Sequence, residues 1–231
     1  MYGENNISSC EFCTKCWSNF INLSKDELEM VNRNRYEAHF KPGEIIIKQG
    51  SPSSNAIFLI SGLAKVYVEG YSGKNIILNL AEQSTLLAGP GVHVNARYCY
   101  SVAAITQVEA CFISFDILRK VISTNPDFAI GFIEDLSDKA FRMYQKVVNL
   151  TQKKMHGRMA EALLYFSSDL FHSDDFEMVL SRQELGEMTN MAKESVVRIL
   201  GELENEKIIQ ATPRAVRILD HDRLRVISEK G

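Results

Sequence analysis

Three thiols crowd the start of the chain, at Cys10, Cys13 and Cys16. Cys-x2-Cys-x2-Cys spacing lets neighbouring thiolates converge on one soft centre, and bacterial ferredoxins use it to hold a 4Fe–4S cluster. The same set suits a structural zinc ion, bare redox thiols, or a loose tail in which the cysteines are incidental. The other two cysteines, Cys99 and Cys111, lie far downstream. An odd count with this spacing, in a reducing compartment, points to metal or redox chemistry rather than to disulfides. Cys99 is expected to be a core thiol, because free cysteine is usually buried.

A second constellation lies near the other end. Ser181-Arg182-Gln183-Glu184 reads as a capping box that opens a short helix. Leu185 and Met188 would point inward, and Gly186 is small enough for a second helix to cross closely. Asn190 suits the left-handed bend between them. A helix from about Lys193 to Glu204 then places Val196, Ile199, Leu200 and Leu203 on one face. Lys193, Glu194, Val197 and Arg198 share another. That free side carries base-reading groups. The Arg198 fork matches guanine O6 and N7, and Glu194 can accept from cytosine N4. Lys193 can reach a guanine or a phosphate. Ser195 and the capping Ser181 complete the candidate contacts to double-stranded DNA. Pro213-Arg214-Ala215 would form the tip of a wing, with Arg214 and Arg217 as candidates for phosphate. Lys-Glu-x-x-x-Arg alone is common on helices. The cap, the small crossing residue, the turn asparagine and the strands that follow make the helix-turn-helix reading specific.

Catalytic chemistry finds little support. His39, His93, His156, His172 and His221 are scattered, without the close pair that a cupin-like metal enzyme needs. No serine or cysteine has a defensible catalytic partner, so no enzyme is expected. Haem on His93, or another small effector, is the alternative to a thiol-based signal.

The elements that must position these residues fall into an order. From Tyr36 to Ser114 short strands alternate with glycines, the pattern of an all-β sandwich or roll. Ala56 to Gly62, Leu63 to Gly70 and Lys74 to Ala81 are the clearest. From Pro126 to Leu150 the pattern becomes helical. Ile133, Leu136, Ala140, Met143, Val147 and Leu150 recur at alternating steps of three and four, the seam of a coiled coil, so a parallel homodimer contact is expected there. Met155 to Phe171 reads as another amphipathic helix, followed by two short strands around Glu177 to Leu180 and strand-like residues from Ile208 to Leu219. The fold class is therefore α+β: a β-roll (jelly roll), a long dimerisation helix and a winged helix-turn-helix. The divisions are a cysteine-rich segment 1–22, a sensor roll 23–124, the helix 125–152 and a DNA-binding domain 153–231. The chain has 231 residues and a formal charge of −3, so a basic face, not a basic coat, must meet DNA. No apolar run approaches the roughly 20 residues of a membrane span. The N-terminus lacks the layout of a secretory signal, which makes the cytoplasm the expected location.

These residues resemble the CRP/FNR family of bacterial transcription regulators over essentially the whole chain. Lys41 to Lys74, with glycines at 43, 50, 62 and 73, is similar to the family's roll motif. Asn149 to Phe166 resembles its junction of dimer helix and DNA-binding domain, and Leu180 to Glu204 its helix-turn-helix. The resemblance implies a homodimer, a near-palindromic operator, contact with RNA polymerase, and a signal received in the roll. The family's base-reading glutamate and arginine fall on Glu194 and Arg198. Cyclic-AMP members cradle phosphate with a Gly-Glu-Leu segment and an Arg-Ser or Arg-Thr pair. Here Leu86 to Ala104 has no Gly-Glu-Leu, the pair reads Tyr98-Cys99, and Arg97 is one residue out of register. A buried cyclic phosphate would lack its cation, so cyclic AMP is disfavoured. The FNR-like branch holds a 4Fe–4S cluster on three N-terminal cysteines and one from the roll. Cys10, Cys13 and Cys16 supply the first three, and Cys111 aligns with the fourth. The third gap is narrower than in the best-known cluster-binding members. Cys99 is the reserve ligand.

Overall fold

The computed structural model describes residues 17–87 and 96–231. The thiols of Cys10, Cys13 and Cys16, and the imidazole of His93, lie outside the described residues. The chain divides into two compact units. The first ends at Ala140, and the second comprises 70–78 and everything from Phe141 onward.

The first unit is the expected roll. One antiparallel sheet has the order β1 (Arg35–Phe40), β7 (Val108–Ser114), β3 (Asn55–Ser61). The other strands are β2 (Ile45–Ile47), β4 (Ala64–Glu69), β5 (Asn75–Ala81) and β6 (Ser101–Ala104). They form a second sheet in the order β2-β6-β4-β5. Gly62 makes the corner between β3 and β4. Its φ is +88°, and a Cβ there would lie 2.2 Å from the Gln107 carbonyl oxygen, so only glycine fits.

Three helices frame this roll. In α1 (Lys25–Arg33) Ser24 and Glu27 close a reciprocal capping box. Neither α1 nor α2 (Phe115–Thr124) was foreseen from the hydrophobic pattern. The long helix α3 spans Pro126–Gln152. Proline suits a first helical position, where no N–H is needed, and the Asn125 side chain accepts from the Phe128 N–H at 3.0 Å. The core of the unit is aromatic. The Trp17 ring lies 5.7 Å from Phe58 and 5.5 Å from Phe128, in one buried cluster with Cys111, Ile113 and Phe132.

The second unit follows the latter half of α3. Helix α4 (Met155–Leu164) continues into a wider π turn over Tyr165–Leu170. Then come β8 (Asp175–Glu177), α5 (Arg182–Thr189), α6 (Lys193–Asn205), β9 (Ile209–Ala211), β10 (Ala215–Ile218) and α7 (His221–Lys230). The three strands pair in the order β8-β10-β9. Where two strands were expected around Glu177 to Leu180 there is one. Leu180 instead turns inward, 2% exposed, just before the cap of α5. Helix α7 was not anticipated. Among the described residues no helix is long and apolar enough to cross a membrane.

Candidate nucleic-acid interface

The helix-turn-helix is built from local chemistry. Ser181 accepts from the Glu184 N–H at 3.2 Å, and Glu184 accepts from the Ser181 N–H at 2.9 Å. The turn closes at Asn190, with φ 52° and ψ 53°, the left-handed region that asparagine tolerates. Gly186 acts differently from expectation. A Cβ there would meet the Met191 carbonyl oxygen at 2.6 Å, while the nearest atom of the crossing helix, Val196 Cγ2, would be 3.7 Å away. It is the turn's own backbone, more than the second helix, that needs the glycine. The Gly186 carbonyl in turn accepts from the Met191 N–H at 2.9 Å.

Helix α6 divides as its periodicity requires. Val196, Ile199, Leu200 and Leu203 are buried, and Lys193, Glu194, Val197 and Arg198 are exposed. Ser195 is half-buried between the two faces. The wing is present. β9 and β10 pair antiparallel, and the Thr212 hydroxyl accepts from the Ala215 N–H at 2.9 Å across their turn. Arg214 is exposed at this turn. Arg217 stands opposite Asp175 in the β8–β10 ladder and forms an ion pair with it. A phosphate contact by Arg217 would have to compete with this exposed pair.

Several contacts that tie this reading head together are separated too far in sequence to be foreseen. Arg182 donates to the Thr212 carbonyl at 2.9 Å, joining α5 to the wing turn. Arg158 donates to the Leu150 carbonyl at 2.9 Å and the Asn190 carbonyl at 3.4 Å, joining the end of α3 to the turn. Lys146 donates to the Met188 carbonyl at 2.8 Å, near the negative end of the α5 dipole. Burial pushes the Lys146 ammonium down from 10.5 to about 8, opposed by the charge of Glu161.

The other candidate residues are placed as follows. Cys111 is buried at 1% exposure. The guanidinium of Arg35, itself paired with Glu37, approaches its Sγ to 3.9 Å. Cys99 is exposed, not in the core. Its neighbour Tyr98 takes the inward position, with its hydroxyl donating to the Asn55 carbonyl at 2.8 Å, and Cys99 therefore faces out. Among the described residues no cluster of three or more His, Cys, Asp or Glu side chains could hold a metal ion. On α3, Ile133 and Val147 are more than half exposed and Met143 is 37% exposed. Ala140 is exposed and Leu150 half-buried. Leu136 instead packs against the aromatic core of the roll. Ile130, Phe141, Tyr144 and Val148 are exposed beside these residues, so the open apolar stripe is wider than the expected seam.

A reading head of this kind, a capped short helix, a left-handed turn, a second helix with one free polar face and a β wing, defines a winged helix-turn-helix DNA-binding protein. Two protein-family models match the chain, the cyclic nucleotide-binding domain over 37–125 and the Crp-like helix-turn-helix domain over 157–227. The chain thus carries a cyclic nucleotide-binding domain followed by a Crp-like helix-turn-helix domain, the domain order of a CRP/FNR-type transcription regulator. It is 26% identical to the cAMP-activated global transcriptional regulator CRP of Salmonella typhimurium over 175 residues, 74% of this chain and 83% of the relative. It is 21% identical to electron transport regulator A of Shewanella oneidensis, over 95% of this chain and 88% of the relative. The fold is shared with FixK2 from Bradyrhizobium japonicum at a TM-score of 0.76 and 17% identity, covering 84% of this chain and 96% of that one. These relatives are regulators, not enzymes.

Two outcomes test the head's construction. Gly186→Ala should destabilise the protein by about 1–3 kcal/mol in chemical denaturation, as overpacking does. The usual gain from alanine in a helix, about 1 kcal/mol, would show that the Met191 carbonyl is free to move. For Lys146, the unfolded chain holds more protons than the folded one between pH 8 and 10.5. The cost of burying the ammonium is thus fully present below about pH 8 and is relieved as pH rises to 10.5. Relative to Lys146→Met, the natural protein should gain on the order of 2 kcal/mol between pH 7 and 10. Parallel stability profiles would contradict this.

Proposed function

We propose that this regulator acts as a homodimer on an inverted-repeat operator, reading bases through Arg198 and Glu194 and responding to a redox signal through its cysteines. The observation that carries the DNA reading is the two-faced α6. Its buried side fixes the helix, and its free side presents Lys193, Glu194, Val197 and Arg198 from the N-terminal turns, where such helices meet base edges. Ser181, Ser195 and Arg214 would support it. Dimerisation is assigned to the open apolar stripe on α3, because an exposed row of large apolar side chains on a long helix seeks a matching helix. The functional divisions would then be a thiol segment 1–22, a sensor roll 23–124, the helix 125–152 and the reading head 153–231, with RNA polymerase as the further partner.

The FNR-like reading of the signal is supported by one feature of the core. Trp17, the residue after Cys16, packs on Phe58, which pairs directly with Cys111 in the β3–β7 register. Directly paired residues share one face of a sheet, so the chain joins the described core on the face that holds Cys111. Cys10, Cys13, Cys16 and Cys111 would hold the cluster, which would supply an oxidant-sensitive centre. Cyclic phosphate is disfavoured. The Arg97 guanidinium donates to the Gly50 carbonyl at 2.6 Å, and Tyr98 occupies the position next to it.

Protein isolated without air should therefore be brown and bleach in air. Cys111→Ser should remove the colour and the exposed Cys99→Ser should spare it. A colourless anaerobic preparation with stoichiometric zinc would overturn the cluster. On DNA, the protein should protect two half-sites about 34 Å apart. Arg198→Ala should cost about 1–3 kcal/mol and relax preference at one base pair per half-site. Glu194→Ala should lower discrimination for cytosine without lowering overall affinity, since an acid near DNA repels phosphate. Arg214→Ala should weaken all sequences alike and reduce the salt slope by about one. Equal, sequence-independent losses for Arg198 and Arg214 would contradict base reading by α6.

A further inference from the structure

Arg198 has a partner on its own helix. Its Nη1 donates to Glu202 Oε1 at 2.6 Å, one turn further along α6. The other oxygen of that carboxylate, Oε2, lies 2.6 Å from Nε2 of His156, in the first turn of α4. A carboxylate only accepts, so Nε2 carries the hydrogen of this contact. The His156 contact first, and the Arg198 contact second, hold the Glu202 carboxyl below the usual range.

Two physical points give this triad meaning. An arginine that precedes a glutamate by four residues is the less favourable order for such a pair on an isolated helix. Helix α6 alone would therefore hold the contact poorly. With His156 fixing Oε2 from another helix, Oε1 is left facing the arginine. The guanidinium also carries more donors than this contact uses. Among the described residues Nε and Nη2 of Arg198 have no acceptor, and the side chain is 50% exposed. One corner of the plane is tied down while the opposite edge, with two parallel N–H groups, stays open.

We propose that Glu202, anchored by His156, is a specificity-determining positioning residue that orients the Arg198 guanidinium for a guanine edge. It rests on the reading of Arg198 as a base-reading residue. A guanine needs two N–H groups in one plane at O6 and N7. A guanidinium already fixed in plane gives up less side-chain freedom on meeting it. A phosphate accepts from many directions, so the same buttress does little for non-specific binding. His156 comes from the helix that follows α3, so the orientation of the reading arginine also depends on where α4 sits against α6.

The test uses the full-length protein and a randomised duplex library, with sequencing of the bound fraction to give a preference at every position. Glu202→Gln keeps the size of the side chain and removes its charge. An exposed ion pair corresponds to about a two- to fivefold effect. Guanine preference at the Arg198 position should fall by that factor, while binding to bulk non-specific duplex does not fall. His156→Ala should behave like Glu202→Gln. His156→Gln, whose amide can donate to Oε2, should restore the preference. Because the readout is a ratio between sequences, partial unfolding of a variant does not mimic it. Should Arg198→Ala leave the guanine preference intact, base reading by Arg198 fails and the buttress fails with it. If Arg198→Ala erases the preference while Glu202→Gln and His156→Ala retain it, base reading stands and the buttress alone is overturned. Equal losses on cognate and non-specific duplex would likewise overturn it.

Discussion

The reading head depends on one backbone approach, the meeting of Gly186 with Met191. The Gly186 carbonyl accepts from the Met191 N–H, and the missing Cβ leaves room for the Met191 carbonyl. Asn190 can hold a left-handed backbone only because its short polar side chain tolerates it. Together these fix the direction in which α6 leaves the turn. Once that direction is set, burial of Val196, Ile199, Leu200 and Leu203 decides the rotation of the helix about its axis. The exposed row from Lys193 to Arg198 is a consequence. A side chain in place of the Gly186 hydrogen would move the turn, and the exposed side chains of α6 would move with it.

Much of this is legible in the sequence because it is local. The capping box spans four residues, the bend is one asparagine, and the two faces of α6 follow from a period of 3.6. The strands from Asn55 to Ala81 are legible for the same reason, since β-branched runs bounded by glycines have few other readings. What escapes is whatever is settled by distant partners. Cys99 faces out because Tyr98 finds the Asn55 carbonyl, 43 residues away. Leu136 leaves the expected seam on α3 because the roll takes it into its aromatic core, and an apolar period cannot say which of two surfaces will claim a residue. Arg217 loses its freedom to Asp175, 42 residues away. The His156–Glu202 contact has a separation of 46 and no sequence signal at all.

The net charge of −3 is easily misread as hostile to DNA. Position matters more than balance, because each contacted phosphate contributes its own counterion release. Much of the head's positive charge is committed internally. Arg217 pairs with Asp175 and Arg223 with Glu206. Arg182 and Arg158 serve backbone carbonyls. These arginines build the head and do not coat it. Lys193 and Arg214 remain exposed on the helix and the wing, and Lys154, Lys207, Arg225 and Lys230 are exposed elsewhere on this unit.

A head that commits many of its arginines to internal contacts has a particular binding character. Non-specific affinity comes almost wholly from phosphate contacts, so it is weak when those contacts are few. Discrimination must then rest on base edges, each good bidentate pair contributing about 1–3 kcal/mol. On the proposed reading one helix would offer one such fork, at Arg198, which is too little to select a site from a genome of competing sequences. Doubling the head through α3, as proposed, would double the forks and fix the distance between them. On that reading the apolar stripe on the long helix and the use of charge on the recognition helix are linked: the fewer phosphates each head engages, the more the protein would need a second copy to select its site.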